Sequence, residues 1–129
     1  MEPASARIFR SDDIARVDRG GDVYSLPMVS GDVGAQNLMT GMTVFPPGGG
    51  IALHTHNTEE SVVILEGEAI CEIEDARHNL QTFDAAYIPA GLRHRFSNAG
   101  AGVLRILWIY GSIDMVRTYV DANASQRLS

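Results

Sequence analysis

Residues 48–67 read Gly48-Gly49-Gly50-Ile51-Ala52-Leu53-His54-Thr55-His56-Asn57-Thr58-Glu59-Glu60-Ser61-Val62-Val63-Ile64-Leu65-Glu66-Gly67, and this stretch decides the reading of the whole chain. His54 and His56 are two residues apart, so on an extended strand both imidazoles project from one face. Asn57-Thr58-Glu59 is a short polar stretch that carries the chain round. Glu60 follows it, and the apolar run from Val62 to Leu65 reads as a buried strand. A third histidine, His94, comes later in the chain. Three imidazoles and one carboxylate are a donor set for a single divalent metal, because imidazole suits middle and late first-row ions and carboxylate adds a harder anionic oxygen. A lone strand histidine is ordinarily a core or surface residue; here the register of all four residues favours the metal.

Turn residues frame these ligands. Pro46-Pro47-Gly48-Gly49-Gly50 breaks the chain before His54, Gly67 lies seven residues after Glu60, and Pro89-Ala90-Gly91 precedes His94 by a few residues. Glycine supplies positive φ and proline presets φ near −65°, so these residues mark strand ends. The arrangement resembles the cupin family. Its first motif, G-x5-H-x-H-x3-E-x6-G, is filled by Gly48, His54, His56, Glu60 and Gly67. Its second, G-x5-P-x-G-x2-H-x3-N, is filled by Pro89, Gly91, His94 and Asn98, with Phe83 where the family has glycine and Asp84 in the common place for aspartate. The resemblance implies an all-β, single-domain jelly roll, the double-stranded β-helix barrel. It also implies that His54, His56, Glu60 and His94 ligate the metal, and that two copies pair as a homodimer.

Composition excludes several function classes. The 129 residues carry a formal charge of −6, which argues against nucleic acid or an anionic membrane as partner. All ten basic residues are arginine, so Schiff-base, pyridoxal-phosphate and phosphate-loop lysine chemistry are absent. The single cysteine, Cys71, has no partner within the chain for a disulfide. The N-terminus has no basic-then-apolar signal and no apolar stretch is long enough to span a bilayer, so the expected location is the cytoplasm.

Short strands punctuated by turns run from Val23 onward. Expected strands are Val23–Val29, Asn37–Phe45, Ala52–His56, Glu60–Leu65, Glu68–Ile73, Leu80–Thr82, Ala85–Ile88, His94–Ser97 and Val103–Tyr110. Residues 1–22 form an N-terminal segment with a short helix over Ser11 to Val17, 23–110 the barrel, and 111–129 a tail with an extra strand over Met115 to Val120 and a frayed end after Asp121. Alternation from Glu60 sends Val62 and Ile64 into the lumen, and the same argument places Cys71 there, and Phe96 beside His94; these four are the expected substrate lining. Val63 and Leu65 make the opposite face apolar too, so either the N-terminal segment or a second subunit must cover it. His78 falls in a turn-like stretch, Asp75 to Asn79, and reads as solvated. Arg93 and Arg95 have outward parity, and Arg105 is left unassigned.

Three neutral imidazoles and one carboxylate leave a divalent ion (Fe, Mn, Ni, Co or Zn) with about one net positive charge and about two free positions in an octahedral shell. That open edge attracts an anionic or enolisable small molecule. The expected function is a metal-dependent enzyme, with a dioxygenase preferred because adjacent free positions suit substrate and O₂ together. The alternatives are non-redox isomerase, decarboxylase or lyase chemistry, or a ligand-binding sensor without catalysis.

Overall fold

The computed structural model describes residues 5–121 and the short strand at 125–127. Among them there is no α-helix. The strands are β1 (Val17–Gly20), β2 (Val23–Val29), β3 (Met39–Phe45), β4 (His54–His56), β5 (Glu60–Glu66), β6 (Ala69–Ile73), β7 (Ala76–Leu80), β8 (Ala85–Ile88), β9 (His94–Asn98), β10 (Leu104–Tyr110), β11 (Val116–Tyr119) and β12 (Ser125–Arg127). They form two six-stranded sheets, ordered β1-β2-β3-β10-β5-β8 and β12-β11-β4-β9-β6-β7. Every pairing is antiparallel. This is the jelly-roll barrel the motifs imply.

Alternating residues of the two inner faces build the core. On β5, Val62 and Ile64 are buried, and on β10 so are Leu104, Ile106, Trp108 and Tyr110, while Leu107 and Ile109 between them stay half-exposed. Burying a side chain of this size contributes about 1.5–3 kcal/mol, so the inner faces supply the main drive for closing the barrel. One close approach depends on glycine. Trp108 lies directly opposite Gly41 across the β3–β10 ladder, and its ring occupies the space a Cβ there would need.

The second motif's departure from its pattern has a structural answer. The Gln81–Asp84 turn is closed by the Asp84 amide donating to the Gln81 carbonyl (2.9 Å), and Asp84 Oδ2 accepts from the Gln81 amide (2.7 Å). Phe83 sits third in that turn, where a type II turn calls for glycine, and its backbone keeps the left-handed conformation with φ of 75°. The geometry is retained and the strain is carried by Phe83, whose ring is 82 % exposed. At Gly67 the glycine is needed outright: φ is 92°, and a Cβ would stand 2.4 Å from the Val103 carbonyl oxygen.

Other expectations are corrected. The helix expected over Ser11 to Val17 is a single 3-10 turn, Ser11–Asp13, with no side-chain cap, and Val17 already opens β1. The stretch read as a turn from Asp75 to Asn79 is mostly β7; the reversal is confined to its start, where Glu74 has φ of 52°. An edge strand exposed on both faces shows no alternation, so nothing in its residues announced it. Of the tail expected to fray after Asp121, residues 125–127 pair with β11; the remainder lies outside the described residues, as do residues 1–4.

Candidate metal centre

The three histidines reach one another by strand pairing. His54 on β4 stands opposite His94 on β9, and His56 follows two residues later on the same face of β4. The turn before His94 is pinned to β4, because the Gly91 amide donates to the His56 carbonyl (2.9 Å). Glu60 arrives from the other sheet as the first residue of β5, opposite Tyr110 on β10. All four side chains are buried.

Each imidazole offers one ring nitrogen lying within 4.8 Å of those of the other two, and the ring centroids are 4.4–4.9 Å apart. His54 Nδ1 is 2.7 Å from the Ala52 carbonyl and His94 Nδ1 is 2.9 Å from the Leu92 carbonyl. A carbonyl only accepts, so both Nδ1 atoms carry a proton and both Nε2 atoms are turned toward the centre. Glu60 stands beside the three-nitrogen group, with Oε1 3.1 Å from His94 Nε2 and 3.5 Å from His56 Nε2.

Burial and nearby charge hold two of the rings, His54 and His56, in the neutral form. Burial, then Arg117 and His94, push His54 down to about 3, with the Ala52 carbonyl opposing. Burial, then His54, His94 and Arg117, push His56 down to about 2, with the Val116 backbone opposing. His56 Nδ1 completes no hydrogen bond of good geometry, although Tyr110 OH approaches Nε2 at 3.4 Å. Neutral imidazole is the metal-binding form, so the resistance of His54 and His56 to protonation, and the carbonyl contacts that orient His54 and His94, fit a divalent ion.

The cavity beside the histidines has about 20 Å³ of free volume, room for one ion or water. Its wall is mostly apolar and aromatic, with Phe45, Ile51, Phe96, Ile106, Trp108 and Tyr110. Thr43 adds a polar point: its Oγ1 accepts from Trp108 Nε1 (2.9 Å) and contacts Ser25 Oγ (2.8 Å). Arg117 also lines the cavity, from β11, where it is paired with His56 and Tyr119 with His54. Asn57 fixes that strand, its Oδ1 accepting from the Val116 amide (2.8 Å) and its Nδ2 donating to the Asp114 carbonyl (3.1 Å).

Sequence reasoning missed Arg117, Tyr110, Trp108 and Asn57. Thr43 and Trp108 belong to strands whose partners cannot be read locally. In Val116-Arg117-Thr118-Tyr119 simple alternation puts the arginine toward solvent. The polar stretch at Asn57 was the one legible signal, read only as a turn.

Of the expected lining residues, Phe96 bounds this cavity. Val62 and Ile64 are buried in the core without bordering it, and Cys71 borders a different cleft, with Ile73, His78 and Tyr87. Burial, then Glu60 and Glu72, push the Cys71 thiol up to about 12, so it packs as an inert apolar group. Arg93, Arg95 and Arg105 pair at the surface with Glu74, Glu72 and Glu66. Glu59 points outward and accepts from Tyr87 OH, and His78 is exposed. Asn98, the last residue of the second motif, is a clamp: Nδ2 donates to the Phe45 and Gly102 carbonyls and Oδ1 accepts from the Gly100 amide.

Comparison with known proteins places this geometry in a family. Residues 41–110, more than half of the chain, match the Cupin_2 cupin domain. Protein SchB of Streptomyces halstedii is 34 % identical over 115 residues, spanning 88 % of this chain and 83 % of that protein. Polyketide synthase CurC of Streptomyces cyaneus is 32 % identical over 91 residues, spanning 70 % of this chain and 58 % of that protein. In structure, the polyketide cyclase RemF of Streptomyces resistomycificus superposes with a TM-score of 0.76 over 97 % of this chain and 87 % of its own, at 17 % identity. Among the described residues no helix is long and apolar enough to cross a membrane. Two filled motifs, a jelly roll of two six-stranded sheets and a family match across its central strands make this chain a single-domain member of the cupin superfamily.

Proposed function

We propose that this chain is a small-molecule enzyme that holds one divalent metal through His54, His56 and His94 with Glu60, and that it acts on an enolisable polycarbonyl compound in a non-redox, cyclase-type step. The observation that carries the reading is the convergence of three buried imidazoles with a buried carboxylate beside them, at a small cavity that His54, His94 and Glu60 line. The names of CurC and RemF support polycarbonyl chains as the substrate class.

A divalent ion held there supplies Lewis acidity toward a carbonyl oxygen. The residues do the rest. Glu60 stands beside the histidine nitrogens through Oε1, and its carboxylate, through the oxygen not given to the ion, accepts the proton released from a carbon next to a carbonyl. The carbanion electron pair forms the new C–C bond at a second carbonyl, whose oxygen becomes an alkoxide; the proton on Glu60 returns to it. No oxidant is consumed. Tyr110 is 2 % exposed, and burial followed by the Glu60 charge pushes its phenol up, so it remains an O–H donor toward developing negative oxygen. The aromatic wall excludes bulk water.

The test begins with elemental analysis of protein purified without added metal. About one transition-metal ion per chain is expected, and loss of that stoichiometry in His94→Ala with an unchanged far-UV circular dichroism spectrum. Unchanged metal content in the variant would reject the ligand set. The metal-loaded protein is then given 2,4,6-heptanetrione, with the expectation of a product of equal mass or one water lighter and no oxygen uptake. Oxygen consumption by the Fe(II) form would transfer the reading to the dioxygenase that the sequence favours. Tight metal binding with no turnover would leave a sensor.

A further inference from the structure

Arg117 is a buried cation that pairs with no carboxylate among the described residues. It is 5 % exposed, and its Nε is a buried donor with no hydrogen-bond partner among the described residues. Its contacts are phenolic: Nη1 donates to Tyr119 OH (3.2 Å), and the guanidinium carbon lies 5.9 Å from the Tyr119 ring centre. Glu66, Glu72 and Glu74 pair with Arg105, Arg95 and Arg93, and Glu60 faces His56 and His94. A second cation stands behind it. Arg19 on β1 is half-buried, with Nε donating to Ser25 Oγ (3.1 Å), and the Arg117 charge weakens its basicity after burial does.

Burying a charge without a counter-ion costs several kcal/mol, and a natural chain retains such a group where something else compensates. Counting formal charges at the site, Glu60 and Arg117 cancel, so a bound divalent ion would leave about two positive charges to neutralise. A metal ion beside an uncompensated guanidinium is therefore unfavourable unless the guest brings negative charge. The guanidinium offers a planar fork of donors suited to a carboxylate, and it borders the same cavity as His54, His94 and Glu60.

We propose that Arg117, supported by Tyr119 and Arg19, is the recognition site for a carboxylate group of the substrate, so that the guest is an anionic β-ketoacid rather than a neutral polyketone. The inference rests on the proposed function for the carbonyl part of the guest, while the anion site itself needs neither metal nor turnover. Arg117 is paired with His56 across β4 and β11, so the carboxylate docks beside the metal-ligand cluster and aims the adjacent ketone at it.

The probe is acetoacetate, compared with its neutral isostere 2,4-pentanedione, titrated into full-length protein as purified and after chelator treatment. Trp108, the only tryptophan, lines the cavity and reports binding by fluorescence, with calorimetry as an independent readout. Acetoacetate is expected to bind the chelated protein saturably and 2,4-pentanedione at least tenfold more weakly. Arg117→Met is expected to weaken acetoacetate at least tenfold and to raise the melting temperature, because the uncompensated charge is gone; a purely structural arginine would lower it. Acetoacetate affinity unchanged in Arg117→Met overturns the proposal. If Arg117→Met does not fold, Arg117→Lys decides: it keeps the charge but loses the fork, and about tenfold weaker binding supports the proposal whereas unchanged affinity overturns it. Metal content and heptanetrione turnover are read separately. Loss of turnover with anion binding intact sinks the cyclase reading alone, and intact turnover with no Arg117 dependence sinks this one alone.

Discussion

Replacing Gly41 by alanine tests whether the cavity wall depends on one missing methyl group. An added Cβ would stand 2.4 Å from Trp108 Cζ2, 2.5 Å from Cη2 and 2.8 Å from the Leu26 carbonyl oxygen, against an ordinary contact of 3.4 Å or more. The carbonyl belongs to the β2–β3 ladder and cannot give, so the indole must move by about an ångström. Overpacking of this kind costs about 1–3 kcal/mol. Moving the indole also breaks the Trp108 Nε1 bond to Thr43 and strands a buried donor, for another 1–3 kcal/mol or so. The expected loss is about 2–6 kcal/mol, a large part of a typical domain stability of about 5–15 kcal/mol. Urea unfolding gives the free energy, and emission of the sole tryptophan shows whether the ring has been displaced. Trp108→Leu in the Gly41→Ala background should recover about half of the loss, since the two side chains are directly opposed. A Gly41→Ala protein within about 0.5 kcal/mol of the parent, with unchanged emission, would refute the packing argument.

Phe83→Gly should stabilise the fold by about 0.5–1 kcal/mol, because relief of a left-handed φ worth about 1–2 kcal/mol exceeds the extra chain entropy of glycine; a lower denaturation midpoint would contradict it. In chelator-treated protein, His54 and His56 are depressed from 6.5 to about 3 and about 2, so the unfolded state binds more protons below pH 6.5. Their contribution is intact above pH 6.5 and falls as pH drops toward the folded values, by about 2 kcal/mol per ring at pH 5. A stability curve flat between pH 6.5 and 5, or equally steep in His54→Gln, would count against this. Leu26, Met42, Leu107 and Val63 form an outward row in register across the first sheet, and the expectation that two copies pair can be tested there. Light scattering should give a dimer mass that Leu107→Glu converts to a monomer; a monomeric parent protein would refute it.

Much of the barrel was legible because its signals are local. Alternation in Glu60-Ser61-Val62-Val63-Ile64 and turn chemistry at Gly67 and Pro89-Ala90-Gly91 report on a few neighbouring residues, and β2, β8 and the centre of β5 follow from them. The edge strand β7 was not legible, since a strand with both faces in water has no pattern to read. The helix expected at Ser11 had polar cap residues but no apolar stripe to bury, and only a 3-10 turn formed.

The candidate centre divides in the same way. The register of the candidate ligands is local, because His54 and His56 must share a strand face and the turns around Glu60 and His94 leave little freedom in where those side chains point. Their surroundings are not local. Arg117 stands opposite His56, Trp108 opposite Gly41 and Tyr110 opposite Glu60 through pairings between strands distant in the chain. Such pairings are set by closure of the whole barrel, and no window of neighbouring residues contains the information that fixes them.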